Sequence, residues 1–400
     1  MKMQLNSPTL YIEINQSNFI FAVGENDEKN NFKSIYRLED SIKGINDNRI
    51  SNYDEILNII KQNLYSIEQK LDHTFTEVVL ILENLNTSFV NLAGFKKLNS
   101  SQVLRENITY ILNTLKSCVD QHEAKKTILH IFNTKYFLDE KKIENLPIGL
   151  FGDFYSHELS FSLIDTNDYK NIKNIFSVCN LKIKKIFLKS FVKGCLICDK
   201  NIGINSFFLL QINNHDSKII FFDNHSLKFE QSFSFGKDII LNDISKILSL
   251  NKDTIKKIIN HVNFNEKILE DEVIDNKFFI KENFRKIKKK LIFEIASARI
   301  EEIFKLILLK NINVKSFAKD IKTVLLEFND DEETTHLNDI IKKFVLENSD
   351  FDLKSSKNFT DHSIFEKASE LVHFGWKTEA IPIAQTKKTL IAKFFEAIFG

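Results

Sequence analysis

The chain is short of the residues that bend and break a polypeptide. Its 400 residues include only 10 glycines and 3 prolines, against average usages of about 7% and 5%. Turns built on left-handed glycine must therefore be few, and glycine-rich phosphate loops can hardly be numerous. Cysteine is scarce too, at 4 residues: Cys118, Cys179, Cys195 and Cys198. Cys195 and Cys198 have C-x-x-C spacing, but no second such pair exists and no two histidines have the H-x₃₋₅-H spacing of a zinc site. Two small apolar side chains on a helix are the expected reading, in a reduced, cytosolic protein. Met1 to Asn6 lead into no apolar h-region, so no secretory signal is expected. No uninterrupted apolar run approaches the ~18 residues of a membrane span. Neither sign of charge is in excess, with 55 Lys+Arg against 54 Asp+Glu. That balance excludes a whole-chain electrostatic footprint for nucleic acid, and no nucleic-acid partner is expected.

What remains is globular. Hydrophobic residues make up 43% and charged residues 27%, which excludes wholesale disorder. At roughly 100–200 residues per domain, two or three compact units are expected. The 37 phenylalanines, with abundant Ile, Asn and Lys, fit the codon bias of an AT-rich genome.

Leu10-Tyr11-Ile12-Glu13-Ile14 and Phe19-Ile20-Phe21-Ala22-Val23 read as a β-hairpin. Ile56, Leu57, Ile60, Leu64, Ile67 and Leu71 give Tyr53–Leu71 helical spacing, and Val78-Val79-Leu80-Ile81-Leu82 reads as a buried strand. Ser100-Ser101 offers an N-cap for a helix through Leu115. Strands are expected at residues 128–132 and 159–163, with the turn-rich run Asn145-Leu146-Pro147-Ile148-Gly149-Leu150-Phe151-Gly152 between them. A helix at 169–179 and a strand at 183–188 follow, then a second hairpin, Phe207–Ile212 with residues 218–222. Helices are expected over 243–259 and 284–309, and a strand over Thr323–Phe328. The charge run 286–290 reads as a solvated helix face. Hairpin, helices and strand recur in two halves, which suggests a duplicated α/β fold.

Several segments resemble the FtsA family of actin-like bacterial cell-division proteins. Lys126 to Phe132, then Tyr136-Phe137-Leu138-Asp139 and Asn145-Leu146-Pro147-Ile148-Gly149-Leu150-Phe151-Gly152, are similar to a strand and N-P-I-G turn of that family. Phe235-Gly236-Lys237-Asp238-Ile239-Ile240-Leu241-Asn242-Asp243-Ile244 looks like its G-G-x-x-I-T-x-D-I segment, and Ala298-Arg299-Ile300-Glu301-Glu302-Ile303 like its R-x-E-E-I helix. The resemblance implies a duplicated, ribonuclease H-like actin fold. Its first half would span 1–82 and 164–198, with an inserted SHS2-like FtsA-type subdomain at 83–163. Its second half would span 199–242 and 316–363, with its own insertion at 243–315, a closing segment at 364–380, and a linker and amphipathic helix at 381–400. It further implies a scaffold on the cytoplasmic face of the inner membrane at the division site. Such a scaffold binds FtsZ through 243–315, self-associates into filaments and recruits other divisome proteins. Two alternatives stay open: an active actin-like ATPase with atypical loops, and a pilus-assembly actin homologue of the PilM type.

In the family, ATP and Mg²⁺ are held between glycine turns. The positions matching those turns are Glu13, Asn15, Gln16 and Ser17, then Gln211, Asn213, Asn214 and His215, with Gly236 and Glu302 alongside. The first turn keeps a carboxylate but has Asn for glycine; the second has lost every glycine and both acids. The third maps onto Leu326-Glu327-Phe328-Asn329-Asp330-Asp331, again without glycine. Side chains would occupy the space where phosphates approach, and Asp330 and Asp331 would repel them. A degenerate nucleotide site with no cofactor and little or no hydrolysis is expected.

The end of the chain is amphipathic. Leu390, Ile391, Phe394, Phe395, Ile398 and Phe399 fall on one helical face, with Lys387 and Lys388 off it, as suits a helix lying in an anionic membrane surface. Each apolar side chain contributes at most about 1.5–3 kcal/mol, reduced by partial burial and by helix ordering. Binding is therefore weak singly and strengthened by avidity in a filament. Phe395→Asp should abolish flotation with anionic liposomes and leave the melting temperature unchanged, an effect much larger than that of Lys393→Gln, which removes about 1 kcal/mol of attraction. Equal flotation with a lowered melting point would instead mean a helix docked on its own protein.

Overall fold

A computed structural model of the chain describes residues 8–15, 18–27, 32–83, 85–261, 271–279, 282–317, 321, 323–328, 335–348, 351–356 and 358–380. They fall into two compact units: one of residues 1–205, 222–229 and 359–400, the other of 206–221 and 230–358.

The first unit begins with a hairpin. Strands β1 (Thr9–Ile14) and β2 (Asn18–Asn26) pair antiparallel, and β3 (Phe32–Ser41) adds to β2. A two-strand ribbon, β4 (Ile45–Asn46) and β5 (Arg49–Ile50), leads into helix α1 (Tyr53–Leu71). The helix has the bounds its apolar spacing implies. Asn52 caps its start by accepting from the Glu55 N–H, and Asp72 ends it in the left-handed region. Strand β6 (Glu77–Leu82) then lies parallel to β1.

An insertion interrupts this sheet before it is completed. Strand β7 (Thr87–Gln102), helix α2 (Arg105–His122), and strands β8 (Lys126–Leu138), β9 (Lys141–Ile143) and β10 (Phe151–Asp165) build a separate sheet in the order β7-β10-β8-β9. The apolar side of α2, with Ile111, Leu115 and Val119, shares a core with Leu159, Phe161 and Leu163 of β10. Ser100 and Ser101 do not cap a helix. They close β7, where the Ser100 hydroxyl and N–H both donate to Asp153 Oδ1 at 2.8 Å. Helix α2 starts beyond them, its first turn closed by Asn107, which accepts from the Leu104 N–H at 2.7 Å.

Helix α3 (Thr166–Val178) and strand β11 (Lys182–Leu188) return the chain to the first sheet, whose order is β11-β6-β1-β2-β3. Helix α4 (Lys189–Lys200) follows β11 directly and is buried from Ser190 to Cys198, so Cys195 and Cys198 are core residues. Burial pushes both thiols up, Cys198 to about 12. Helix α4 can sit this deep because of Gly194: a Cβ there would lie 1.9 Å from Phe222 Cζ.

The second unit centres on the sheet containing β12 (Phe207–Ile212), β13 (Ser217–Asp223), β14 (Ser226–Phe233), β15 (Thr323–Phe328) and β16 (Asp352–Ser355), ordered β14-β13-β12-β15-β16. Its helices are α5 (Lys237–Leu248), α6 (Lys252–His261), α7 (Lys289–Phe304), α8 (Ile312–Phe317) and α9 (Thr335–Asn348), with a 3₁₀ turn at Asn276–Phe278 and a π turn at Lys305–Leu309. The first helical block starts at Lys237, earlier than its sequence suggests, and Ser249 breaks it at φ 49°. The second starts at Lys289 and leaves Phe284 outside.

Helix α10 (Asp361–Phe374) belongs to the first unit. Past it, residues 376–380 run beside β8: the Asn133 N–H donates to Thr378 O at 2.7 Å and the Ala380 N–H to Ile131 O at 2.8 Å. The tail residues Lys387, Lys388, Leu390, Ile391, Phe394, Phe395, Ile398 and Phe399 lie outside the described residues.

Gly194→Ala should lower stability, although alanine is the better helix former. Forcing a methyl group against the Phe222 ring costs about 1–3 kcal/mol, more than the roughly 1 kcal/mol of helix propensity gained. Urea unfolding would show it, and Phe222→Leu in that background should recover part of the loss.

Candidate functional site

The two hairpins singled out from the sequence are both present, one in each unit. In the first, Asn15 closes its own turn: its N–H donates to Asn18 O at 3.1 Å, and its side-chain oxygen accepts from the Asn18 N–H at 2.7 Å. Gln16 and Ser17 lie outside the described residues. Glu13 sits near the end of β1 with 0% exposure. Its Oε1 lies 2.8 Å from Lys189 Nζ, and that same ammonium lies 2.7 Å from Glu83 Oε2. Burial opposes the charge on Lys189, but the Glu83 and Glu13 carboxylates outweigh it and hold the ammonium above its ordinary range. Burial pushes the Glu13 carboxyl up, and Lys189 opposes that shift. Asn15 also turns its amide NH₂ toward Glu13, at 3.4 Å.

In the second unit the hairpin turn is stitched to a helix. The Asn213 N–H donates to Asp216 O at 2.9 Å. The carbonyls of Asn213 and Asn214 accept from the N–H groups of Lys237 and Asp238, each at 2.9 Å. Those donors open α5, the end of a helix that otherwise receives anions. Gly236 permits the approach, since a Cβ there would lie 2.3 Å from Asn213 O. His215 is 88% exposed in its side chain and lies 2.7 Å from Asp238 Oδ2. Gln211 is buried at the end of β12 and donates to Glu327 Oε1 of β15 at 2.8 Å. Glu302 is not part of this cluster; it lies on α7 and pairs with Arg299 at 2.6 Å, while Arg299 also holds Asp243. Asn329, Asp330 and Asp331 lie outside the described residues.

A nucleotide with its magnesium ion needs turn N–H groups for phosphate oxygens and carboxylates for the cation. Among the described residues, these turns do not fit that group. The Asn15 and Asn213 N–H groups are bonded within their own turns, hairpin carbonyls use the first N–H groups of α5, and an ammonium already lies against Glu13. Among the described residues no cluster of three or more His, Cys, Asp or Glu side chains is placed to hold a metal ion.

Two participants were not picked out from the sequence. Lys189 is the first residue of α4, where the helix dipole disfavours a cation; a lysine at a helix start directly after a buried strand was the available signal. Glu83 stands in the sequence only as the start of the segment 83–163. A second buried cluster lies in the first unit, where Glu379 lies 2.8 Å from His130 Nδ1 and 3.3 Å from Lys185 Nζ. Burial alone would raise the Glu379 carboxyl, but His130 and Lys185 together hold it below its ordinary value. Near it, the Trp376 indole N–H and the Thr378 hydroxyl both donate to His225 O, at 2.7 and 2.9 Å.

The fold is that of the actin-like proteins. A solved structure, the PilM–PilN type IV pilus biogenesis complex, matches 92% of this chain and 96% of its own at a TM-score of 0.53 and 8% identity. In sequence the chain is similar to the cell division protein FtsA. FtsA of Buchnera aphidicola subsp. Acyrthosiphon pisum is 24% identical over 250 residues, 62% of this chain and 59% of the relative. FtsA of Neisseria meningitidis serogroup B is 21% identical over 302 residues, 74% of this chain and 72% of the relative. FtsA of Buchnera aphidicola subsp. Baizongia pistaciae is 24% identical over 320 residues, 78% and 73%. No family model matches the chain. Among the described residues no helix is long and apolar enough to cross a membrane.

Because Glu379 is held below its ordinary value of 4.5, its contribution to stability is fully present above that pH and is lost as pH falls through the lower, folded-state value. Glu379→Gln should melt several degrees below the parent near neutral pH. The gap should close as the pH falls below 4.5 and through the lower folded-state value, where both side chains become neutral. Thermal melts across that range would measure it.

Proposed function

We propose that the chain is a division-ring scaffold of the FtsA kind, which tethers FtsZ filaments to the cytoplasmic face of the inner membrane without turning over ATP. The observation that carries the reading is similarity to FtsA in a chain whose phosphate hairpins are closed on themselves. In this reading residues 83–163 form the FtsA-type insertion, and residues 243–315 carry the FtsZ contact. Self-association into filaments brings many copies of 381–400 to the membrane, where the amphipathic stripe from Leu390 to Phe399 holds through avidity. Other divisome proteins are recruited to the same filaments.

Sequence similarity to FtsA favours this reading over a pilus-assembly role, because the likeness to the PilM–PilN complex is one of fold. An active ATPase is disfavoured by the ion-paired Glu13 and by the hairpin carbonyls on α5.

Liposome co-sedimentation tests the tether. With vesicles of anionic phospholipid, the chain should bring FtsZ into the pellet, and the chain cut after Gln385 should not. Charge reversals on exposed residues of 243–315 should lose FtsZ and keep the lipid, with stability changed by less than ~0.5 kcal/mol. Mg²⁺ and ATP should leave the melting temperature unmoved, whereas a ligand at ~1000-fold over its Kd would add about 4 kcal/mol of stability. FtsZ left in the supernatant by the intact chain would refute the tether, and an ATP-dependent rise would restore the ATPase.

A further inference from the structure

We propose that Lys189 is a built-in cation: its ammonium supplies, from within the chain, the positive charge that the first-hairpin acid would otherwise take from a bound metal ion. The proposal concerns charge inside the first unit. It does not rest on the scaffold reading, and its test contains neither nucleotide nor partner.

The topology puts the ammonium at a ligand position. Strands β1, β6 and β11 are adjacent and parallel, with Ile14 opposite Leu82 and Leu82 opposite Leu188. In α/β sheets the carboxyl ends of parallel strands are where ligands collect. Glu13 is the penultimate residue of β1, Glu83 follows β6, and Lys189 follows β11. The Glu83 N–H donates to Ile14 O at 2.9 Å, which fixes the two acids side by side. One ammonium therefore closes the ends of three neighbouring strands.

The electrostatics require it. A carboxylate with no exposed surface needs a counter-charge or must bind a proton. Lys189 is the nearest answer, at 2.8 Å from Glu13, and its side chain is only 14% exposed. As the first residue of α4 it faces the positive end of the helix dipole, and Leu188 provides no side-chain cap. The helix does not favour this cation, and the acids hold it there. A divalent ion would need several oxygen ligands. Here the amide NH₂ of Asn15 and the ammonium, both donors, approach Glu13 instead.

The test uses the full chain in EDTA, without nucleotide, read by thermal unfolding. Lys189→Met keeps the volume and removes the charge, and should lower the melting temperature by more than ~5 °C, as loss of one partner of a buried pair does. Glu13→Gln alone should also lower it. Glu13→Gln in the Lys189→Met background should raise it, because the double variant no longer holds a charge with no exposed surface at the Glu13 position. In place of EDTA, millimolar Mg²⁺ should leave the parent within ~1 °C and raise Lys189→Met, whose bare acid pair can then take the metal. If Lys189→Met does not fold, the double variant still should.

Melting of Lys189→Met at the parent temperature would overturn the proposal. So would a double variant no more stable than Lys189→Met, which would mark a packing role. An equal Mg²⁺ response in parent and Lys189→Met would overturn it as well.

Discussion

Glu13 is a carboxylate with no exposed surface, and it sets a strict demand on the first unit. Leaving Glu13 charged and unpaired would cost several kcal/mol, a large part of the 5–15 kcal/mol that holds a domain together. The demand falls on β1, the middle strand of the five-stranded sheet of the first unit. It is met by the residue that opens α4, with Glu83 at the end of β6 sharing the ammonium. Sheet order, the start of α4 and its depth are thus tied together. The helix must begin where its lysine can reach both acids, and it must then run through the core, which Gly194 allows beside Phe222.

The second unit solves a different problem with neutral groups. Helix α5 begins with no side-chain cap, and its leading N–H groups need acceptors. The hairpin turn provides them through the carbonyls of Asn213 and Asn214. Asparagine at these positions is compatible with this use, because the turn offers its carbonyl oxygens to a helix. In both hairpins the described turn groups bond within the protein itself.

Local signals were legible where they agreed with the tertiary structure. The bounds of α1 follow from its apolar spacing and from Asn52, and the strands β1, β2, β12, β13 and β15 follow from β-branched and aromatic runs. Strand β7 was hidden. Its hydrogen bonds run to β10, far along the chain, and Ser100 and Ser101 carry cap chemistry that Asp153 and Leu98 satisfy instead. The altered hairpin residues could be named from the sequence because they depart from a familiar pattern. Lys189 shows in the sequence only as a lysine opening a helix after a buried strand, since nothing there says that the end of β11 lies beside β6 and one strand from β1. Glu302, named from its motif, pairs with Arg299 one turn away on the same helix.

Residues 376–380 also cover an open sheet edge. Strand β8 borders β10 on one side, and on the other β9 reaches only Tyr136, Phe137 and Leu138. The rest of that edge would offer unpaired N–H and C=O groups, a template for edge-to-edge aggregation. The bonds from Asn133 and Ala380 occupy it. A cut after Ala380 would remove only the tail, whereas a cut before Trp376 would also bare the β8 edge. The second chain would clump for a reason unrelated to lipid, and pelleting alone would then mimic attachment to vesicles.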